Sequence, residues 1–459
     1  MTHISSDQSR TSRGFDGQSN VTLIRQASRN QQVFATWIAR LLALCVAAAL
    51  VTGCGNSTVQ PPSAQPPSQG AQNCAWPSLY SVQSANTAFP DSAAFYWGQP
   101  IVADQNTTIQ ISGRFPDARY ASLSVYTPYG NPFTTNGVSS SLPDYRIRPQ
   151  PGSQNPWQQV APPGGSFQVT IRSGVTPNQV NTLPMPAGTS SQHPSYLVYR
   201  VYLTASGNFS QVQLPALTIE EGHVARPLPA CPTHNTPVQK PEQAPTSGTP
   251  TSTPTTAPVA ASRFYIPPFQ NIGGYANADS AYVWAYFIRP AASDVVVVTA
   301  KAPTSPPGSH PAPWPDPNDD MRYWSMCLAV GIQSFPTVVN TLSNGTTDYG
   351  CRADDATRIN SNGDYTYVIG TETQRTAIER LPGVTFLPFS STESTRLYFL
   401  LLRNTLVSAQ FTHAVQDVTQ TQDPTAAAAA MGPYYPRMST CPLTTLTTGG
   451  PQACTTSHP

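Results

Sequence analysis

A short pattern with chemically capable residue types occurs twice in the sequence. D-x-R-Y-x-S spans residues 117–122 and again residues 320–325, 203 positions later. The planar guanidinium of arginine can hold a carboxylate or a phosphate through two parallel hydrogen bonds. Arg119 and Arg322 are therefore candidate ligand-binding residues at two equivalent sites.

The same pattern also has a structural interpretation. Arg119 stands two residues after Asp117, and Arg322 stands two residues after Asp320. Each arginine could pair with that neighbour where an apolar strand begins, and a buried arginine without a partner costs several kcal/mol. This constraint alone would preserve both partners after a duplication. We favour this interpretation and predict that each arginine is paired inside its own domain.

Aromatic residues offer a second kind of binding surface. Trp157 and Trp314 lie in Pro-rich loops, where an exposed indole ring could stack on a sugar. We therefore keep them as candidate ligand-binding residues for a glycan. Trp97 and Trp284 follow two aligned D-S-A segments and are expected in the core.

Histidines and acidic residues give no catalytic motif. The sequence lacks H-E-x-x-H, G-x-S-x-G, a P-loop and a dinucleotide fingerprint. His413 lies in a folded-looking segment and is interpreted as structural. Acidic residues between Asp354 and Asp364 could bind calcium, but an Asn-Gly-Asp turn explains them more simply. We predict no metal and no cofactor, assign no catalytic residues, and favour a non-catalytic role.

The elements that carry these residues are predicted to be short strands. The 459 residues include 49 Pro and 29 Gly, and proline is excluded from helix interiors. Runs rich in Val, Ile, Thr, Tyr and Phe, set between turn residues, are typical of strands. The predicted strands are 108–112, 121–126, 167–171, 197–203, 295–299, 324–330, 365–369 and 397–402. Helix is expected only at 374–380 and 424–431.

Two low-complexity segments divide the chain. Residues 54–72 are rich in Pro, Ser and Gln, and residues 232–261 are rich in Pro and Thr; such segments act as extended spacers. They leave a first domain at 73–231 and a second at 262–455. The predicted fold class is all-β, with two tandem antiparallel β-sandwich or jelly-roll domains and short helices only.

The second domain is predicted to duplicate the first. Arg200 and Arg403 lie in apolar segments 203 positions apart, so each stands 81 residues after the arginine of its D-x-R-Y-x-S pattern. Further aligned segments are Asp91–Ala93 with Asp279–Ala281, Asp144–Arg148 with Asp348–Arg352, and Leu183–Pro184 with Leu387–Pro388. A Pro-rich insertion at 304–317 is specific to the second copy. These patterns resemble a β-rich domain of unknown function that recurs in bacterial exported proteins, a resemblance that implies fold and compartment only.

The N-terminal region reads as a targeting segment. Residues 41–51 are eleven apolar residues behind Arg40, the length of a signal-peptide core and too short for a membrane span. Val51–Cys54 resembles the lipobox of bacterial lipoproteins. The resemblance implies cleavage before Cys54, a diacylglycerol on its sulfur and acyl chains that hold the protein at a bilayer. Residues 1–53 are thus the signal peptide, with a start at Val33 as the alternative, which would make 1–32 an overcalled start.

The expected location is the outside of a bacterial cell. The protein is predicted to be exported and lipid-anchored to the cell membrane, or to the outer membrane in a two-membrane bacterium. The membrane is its partner through the N-terminal lipid, and an envelope glycan or another envelope protein is a candidate second partner. A formal net charge of +1 gives no electrostatic footprint for nucleic acid. The alternative function is an envelope hydrolase or other enzyme with a site between the two domains.

Six cysteines follow Cys54, and an exported chain is expected to pair them. Their spacings match no zinc motif, and an oxidising compartment favours disulfides. Six cysteines allow fifteen connectivities, of which the nearest-neighbour one keeps every bridge within a domain. The predicted pairs are Cys74 with Cys231, Cys327 with Cys351, and Cys441 with Cys454.

Overall fold

The computed structural model describes residues 73–238, 263–267 and 274–455. The signal peptide, Cys54 and the tether 54–72 lie outside the described residues, as does most of the linker between the domains. The interpretations of those segments therefore stay predictions.

The first domain is built from two five-stranded sheets and a small hairpin. Its strands are β1 (Ser78–Tyr80), β2 (Ala94–Ile101), β3 (Thr107–Arg114), β4 (Ala118–Tyr126), β5 (Thr134–Thr135), β6 (Val138–Ser139), β7 (Ser141–Pro143), β8 (Ser166–Arg172), β9 (Thr182–Pro184), β10 (Ser195–Thr204), β11 (Ala216–Glu221) and β12 (Val224–Pro227). One sheet has the order β1-β2-β10-β4-β7, the other β12-β11-β3-β8-β9, and β5 pairs with β6. Neighbouring strands are antiparallel except β8 and β9, which are parallel.

The second domain contains two four-stranded sheets and a small hairpin. Its strands are β13 (Ser280–Ile288), β14 (Asp294–Lys301), β15 (Met321–Val330), β16 (Val339–Thr341), β17 (Thr347–Tyr349), β18 (Cys351–Ala353), β19 (Asp364–Gly370), β20 (Val384–Pro388), β21 (Leu397–Val407) and β22 (Arg437–Pro442). The sheet orders are β13-β21-β15-β18 and β20-β19-β14-β22, with β16 paired to β17. Here β19 and β20 form the parallel pair.

The two domains share one strand order. The series β2-β10-β4-β7 of the first corresponds to β13-β21-β15-β18 of the second, and β11-β3-β8-β9 corresponds to β22-β14-β19-β20. The register agrees as well, because Arg200 lies opposite Ser122 and Arg403 lies opposite Ser325. The first domain adds β1 and β12 at the sheet edges.

Each domain buries its apolar core between its two sheets. In the first domain Ile109 and Ile111 of β3 share a core cluster with Leu123 and Val125 of β4. In the second domain, Val296 and Val298 of β14 share a core cluster with Met326 and Leu328 of β15. Alternation places these side chains on one face of each strand. The fold is all-β, as predicted.

Within the described residues the α-helices are short, and all of them lie in the second domain. They are α1 (Glu372–Glu379), α2 (Pro424–Met431), α3 (Leu443–Gly449) and α4 (Gln452–Thr455). The two predicted helices correspond to α1 and α2. Asp423 caps α2 by accepting hydrogen bonds from two backbone amides, and proline occupies its first turn. Among the described residues, no helix is long and apolar enough to cross a bilayer.

Three disulfides join cysteines that are nearest neighbours in sequence. They are Cys74–Cys231, Cys327–Cys351 and Cys441–Cys454, with separations of 157, 24 and 13 residues. The segment after Cys231 lies beside β1, since the Leu79 amide donates to the His234 carbonyl at 2.8 Å. Residues 232–238, assigned to the linker from composition, thus pack on the first domain.

Candidate functional site

The four candidate ligand-binding residues meet where the two domains contact each other. Arg119, Arg322 and Trp157 are at most 1% exposed, and Trp314 is 7% exposed. The Arg322 guanidinium carbon lies 5.8 Å from the Trp157 ring centre and 5.6 Å from that of Trp314. Arg322 Nε also donates to the Arg119 carbonyl oxygen at 3.1 Å. These residues form one buried cluster and not two solvent-facing sites.

Both arginines form ion pairs that cross from one domain to the other. Arg119 Nη1 donates to the two carboxylate oxygens of Asp354 at 2.9 and 2.8 Å. Arg322 Nη2 donates to Asp144 Oδ1 at 3.0 Å. All four side chains are at most 3% exposed. The charges of each pair are therefore compensated within the protein.

The prediction that Asp117 pairs with Arg119 and Asp320 with Arg322 is wrong. Asp117 instead pairs with the His310 ring at 2.8 Å, and its side chain is 40% exposed. Asp320 accepts a hydrogen bond from the Thr304 amide at 2.9 Å. Water can solvate an exposed carboxylate, whereas a buried guanidinium requires a partner that is buried with it. The facing domain supplies that partner.

Two segments of the sequence alignment are also wrong. Tyr96 lies opposite Arg200 and Tyr282 lies opposite Arg403, an offset of 186 and not 188. Asp91 therefore corresponds to Asn277 and not to Asp279.

The second wrong segment includes the edge strands β7 and β18. Ser141 lies opposite Ser124 in the first domain, and Cys351 lies opposite Cys327 in the second. Position 141 therefore corresponds to 351, an offset of 210, and Asp144 corresponds to Asp354 and not to Asp348. Asp144 and Asp354 each begin a 3-10 turn directly after a three-residue edge strand. Offsets of 203 at β15 and 210 at β18 make the chain between these two strands seven residues longer than that between β4 and β7, which the repeated D-Y pair concealed.

The tyrosines of the repeated pattern cross the contact in the same way. The Tyr120 hydroxyl donates to Asp279 Oδ2 at 2.8 Å, and the Tyr323 hydroxyl donates to Asp91 Oδ2 at 2.8 Å. Ser325 Oγ donates to the same Asp91 oxygen at 2.6 Å, and Arg403 Nη1 also donates to it. We call the whole set the interdomain network. Its members are Asp91, Arg119, Tyr120, Asp144, Asp279, Arg322, Tyr323, Ser325, Asp354 and Arg403.

Burial shapes the electrostatics of this network. Loss of solvation raises the pKa of the Asp144 carboxyl to about 7, although Arg322 and two backbone amides lower it. Loss of solvation likewise raises the pKa of Asp354 to about 6 against the opposing charge of Arg119. The pKa of Asp279 is raised for the same reason. The raised pKa values mean that Asp144, Asp279 and Asp354 gain protons more readily than exposed aspartates do.

Backbone segments before β2 and β13 complete the contact in a reciprocal manner. The Phe89 amide of the first domain donates to the Phe335 carbonyl of the second at 2.9 Å. The Tyr275 amide of the second domain donates to the Gly130 carbonyl of the first at 3.1 Å. Arg200 Nη2 donates to the Tyr275 carbonyl at 2.6 Å. Each domain thus places the segment before its first long strand on its neighbour.

The Pro-rich insertion of the second domain lies against the first domain. The Gly308 carbonyl accepts from Arg119 Nε at 2.6 Å, and the Trp314 amide donates to the Trp157 carbonyl at 2.8 Å. The expectation that Trp157 and Trp314 are exposed is wrong: Trp157 belongs to the first-domain core, where its indole donates to the Arg119 carbonyl at 2.9 Å, and the loop that carries Trp314 packs against it. Neither indole is available to stack on a sugar in this arrangement.

Other candidate residues have ordinary structural surroundings. His413 Nδ1 lies 3.2 Å from the Ala430 carbonyl oxygen, and its ring stacks on Tyr434. Asn360 Oδ1 accepts from the amides of Asn362 and Asp364, which is the predicted Asn-Gly-Asp turn. These contacts explain the residues without a ligand.

One group of potential metal ligands occurs within the described residues. Asp91, Cys327 and Cys351 offer ligand atoms that all lie within 4.8 Å of one another. Both cysteines belong to the same disulfide, so neither can supply a thiolate. Arg403 Nη1 also lies beside Asp91 and 4.0 Å from Cys327 Sγ, and its positive charge opposes a cation there.

Sequence reasoning identified the arginines of the network but missed their partners. Asp354 was considered only as a possible calcium ligand, and Asp91 and Asp279 only as alignment markers. The amino-acid pattern of the two long strands β4 and β15 could have indicated that partners lie on another surface. β4 and β15 carry Tyr and Ser between apolar residues, which indicates that a second surface covers the face turned away from the core.

Comparisons with known proteins find only distant structural likeness. No protein-family model and no curated protein matches it. It is similar to an uncharacterised protein from Burkholderia cenocepacia, with 16% identity, a TM-score of 0.46 and coverage of 82% of this chain and 84% of that one. It is also similar to the VPA0106 protein from Vibrio parahaemolyticus, with 11% identity, a TM-score of 0.38 and coverage of 77% and 90%. Likeness at this level carries no conclusion about activity.

Proposed function

We propose that this protein is an exported, lipid-anchored component of the bacterial cell envelope with a non-catalytic binding or structural role. The interdomain network is the observation that carries the non-catalytic part of the proposal. Arg119 and Arg322 are the candidates for ligand binding. Arg119 donates to Asp354 and the Gly308 carbonyl, and Arg322 donates to Asp144 and the Arg119 carbonyl. Their duplication is then explained by docking of the two domains.

An oxidising compartment is supported by the cysteines. Three disulfides use all six cysteines between residues 73 and 455, and such bonds persist in exported proteins and are rare in the cytosol. The lipobox-like Val51–Cys54 segment and the Pro-rich tether that follows it fit a folded body held away from a membrane.

An enzyme with a site between the domains is the alternative. Such an enzyme would need reactive groups at the contact that a substrate can reach. Arg119, Arg322 and Arg403 form ion pairs there with Asp354, Asp144 and Asp91, in that order, which favours a docking role. A binding partner such as an envelope glycan or another envelope protein would then contact other surfaces.

Metabolic labelling tests the anchor. The native protein should incorporate labelled palmitate and lose residues 1–53, whereas Cys54→Ser should abolish the label and leave the precursor uncleaved, because only the thiol accepts the lipid. Cys45→Ser is the matched control, since Cys45 belongs to the segment that is removed, and it should label normally. A native protein that is processed but unlabelled and stays in the soluble fraction would contradict the proposed lipid anchor.

A further inference from the structure

Four contacts between the two domains form two equivalent pairs. Arg119 binds Asp354 while Arg322 binds Asp144. The Tyr120 hydroxyl accepts from Asn277 Nδ2 at 3.0 Å while the Tyr323 hydroxyl donates to Asp91. Asn277 corresponds to Asp91, because their backbone carbonyls accept from the amides of Ser280 and Ala94, the first residues of β13 and β2. In each pair the two contacts exchange the roles of the domains. Each domain therefore contributes both the donors and the acceptors.

The contributed residues occupy matching positions. Arg119 and Tyr120 lie on β4 as Arg322 and Tyr323 lie on β15, which corresponds to β4 in strand order. Both aspartates of the ion pairs begin a 3-10 turn after an edge strand. We call each set a docking face. The first-domain face is Asp91, Arg119, Tyr120 and Asp144, and the second-domain face is Asn277, Arg322, Tyr323 and Asp354.

A face that contains both halves of a reciprocal contact is complementary to a copy of itself. Two identical faces related by a two-fold axis would place residue i on residue j and residue j on residue i, as in isologous dimers. Arg119 of one chain would meet Asp144 of a second chain, and Arg322 would meet Asp354 in the same manner. The opposite charges would match in both cases.

We propose that the docking faces bind a second copy of this chain when the two domains separate, first-domain face to first-domain face and second-domain face to second-domain face. Within one chain the faces satisfy each other, so the native protein is a monomer with docked domains. The contact between the two duplicated domains thus has the form of a homodimer contact within a single chain. This inference does not depend on the lipid anchor, which would only raise the local concentration of chains at a membrane.

Charge inversion on one face separates the two modes of docking. In the full chain with Cys54→Ser, the double variant Arg322→Glu/Asp354→Arg inverts the second-domain face. Within a chain, Arg119 then faces the introduced arginine and Asp144 faces the introduced glutamate, so both pairs repel. Between two chains, the first-domain faces are unchanged and the inverted faces match each other. Sedimentation equilibrium should show at least a twofold increase in mass.

The matched control inverts both faces. Adding Arg119→Glu and Asp144→Arg to the double variant restores opposite charges within one chain, and the mass should return to that of a monomer. A second double variant, Arg322→Gln/Asp354→Asn, removes the charges, keeps polar side chains at both positions and should also associate through its unchanged first-domain face.

Two results would overturn the proposal. The first is a monomeric mass for both double variants at concentrations where each has a native far-UV spectrum. The second is unfolding of the charge-inverted variant in place of association, because matching faces between chains should leave no buried charge unpaired.

Discussion

Arg119 and Arg322 are buried cations whose partners come from another domain. Taking a guanidinium and a carboxylate out of water costs several kcal/mol per ion, which only a well-placed opposite charge and further hydrogen bonds offset. Arg119 obtains both carboxylate oxygens of Asp354 and the Gly308 carbonyl. Removal of either member therefore leaves an uncompensated group in the contact.

Arg119→Ala and Arg322→Ala should each lower the free energy of unfolding by about 3–5 kcal/mol, because each leaves a buried aspartate without its partner. Thermal and urea unfolding of the full chain measures this. Arg172→Ala is the control, since Arg172 is exposed at the end of β8, and its loss should cost less than about 1 kcal/mol. Unchanged melting of both buried-arginine variants would contradict the docking role.

At the scale of elements, β4 and β15 explain how two sandwiches can dock. Every residue of both strands is buried. In β15, Trp324, Met326 and Leu328 belong to the core of the second domain, whereas Tyr323 and Ser325 contact Asp91 of the first domain. Both faces of these central strands are therefore covered, which is typical of strands in the middle of a larger assembly.

The disulfides should differ in their contribution according to the loop that each closes. A chain-entropy description gives about 5 kcal/mol for a loop as long as that of Cys74–Cys231 and about 3 kcal/mol for one as short as that of Cys441–Cys454. Cys74→Ser/Cys231→Ser should therefore destabilise the protein by roughly 2 kcal/mol more than Cys441→Ser/Cys454→Ser. Chemical unfolding of the two double variants compares them, and an equal or reversed order would show that local contacts outweigh loop length.

For the whole molecule, the contact between domains makes stability depend on pH. The folded-state pKa of Asp144 is about 7 and that of Asp354 about 6, while an unfolded aspartate titrates near about 3.9. The folded protein then binds more protons than the unfolded chain across the interval between these values. By linkage, the free energy of unfolding falls as the pH rises through that interval.

The melting temperature should therefore be higher at about pH 5 than at about pH 8. Differential scanning calorimetry of the full chain measures the dependence. Asp144→Asn serves as the comparison, since it removes the group with the larger shift and should flatten the pH dependence while lowering stability overall. A melting temperature that rises steadily from acid to neutral pH would contradict the assigned direction.

The sequence by itself determined the strand content, the duplication and the set of cysteines. Runs of β-branched and aromatic residues between turn residues depend on local geometry, which is why strands such as β14 and β19 and the helix α2 lie where they were predicted. The spacing from Arg119 to Arg200 recurs in the second copy because differences in length within that interval cancel, since the offset is 203 at both arginines but 210 at the edge strands β7 and β18.

Only the tertiary structure decided what the repeated residues contact. A D-x-R pattern suggests a local ion pair, but Arg119 and Asp354 are 235 positions apart, and no local property of the chain specifies such a contact. The burial of Trp157 in the first-domain core and of Trp314 against it was likewise decided by tertiary packing. Burial of a charge is a property of the assembled body, since it depends on which surface covers it and not on its neighbours in sequence.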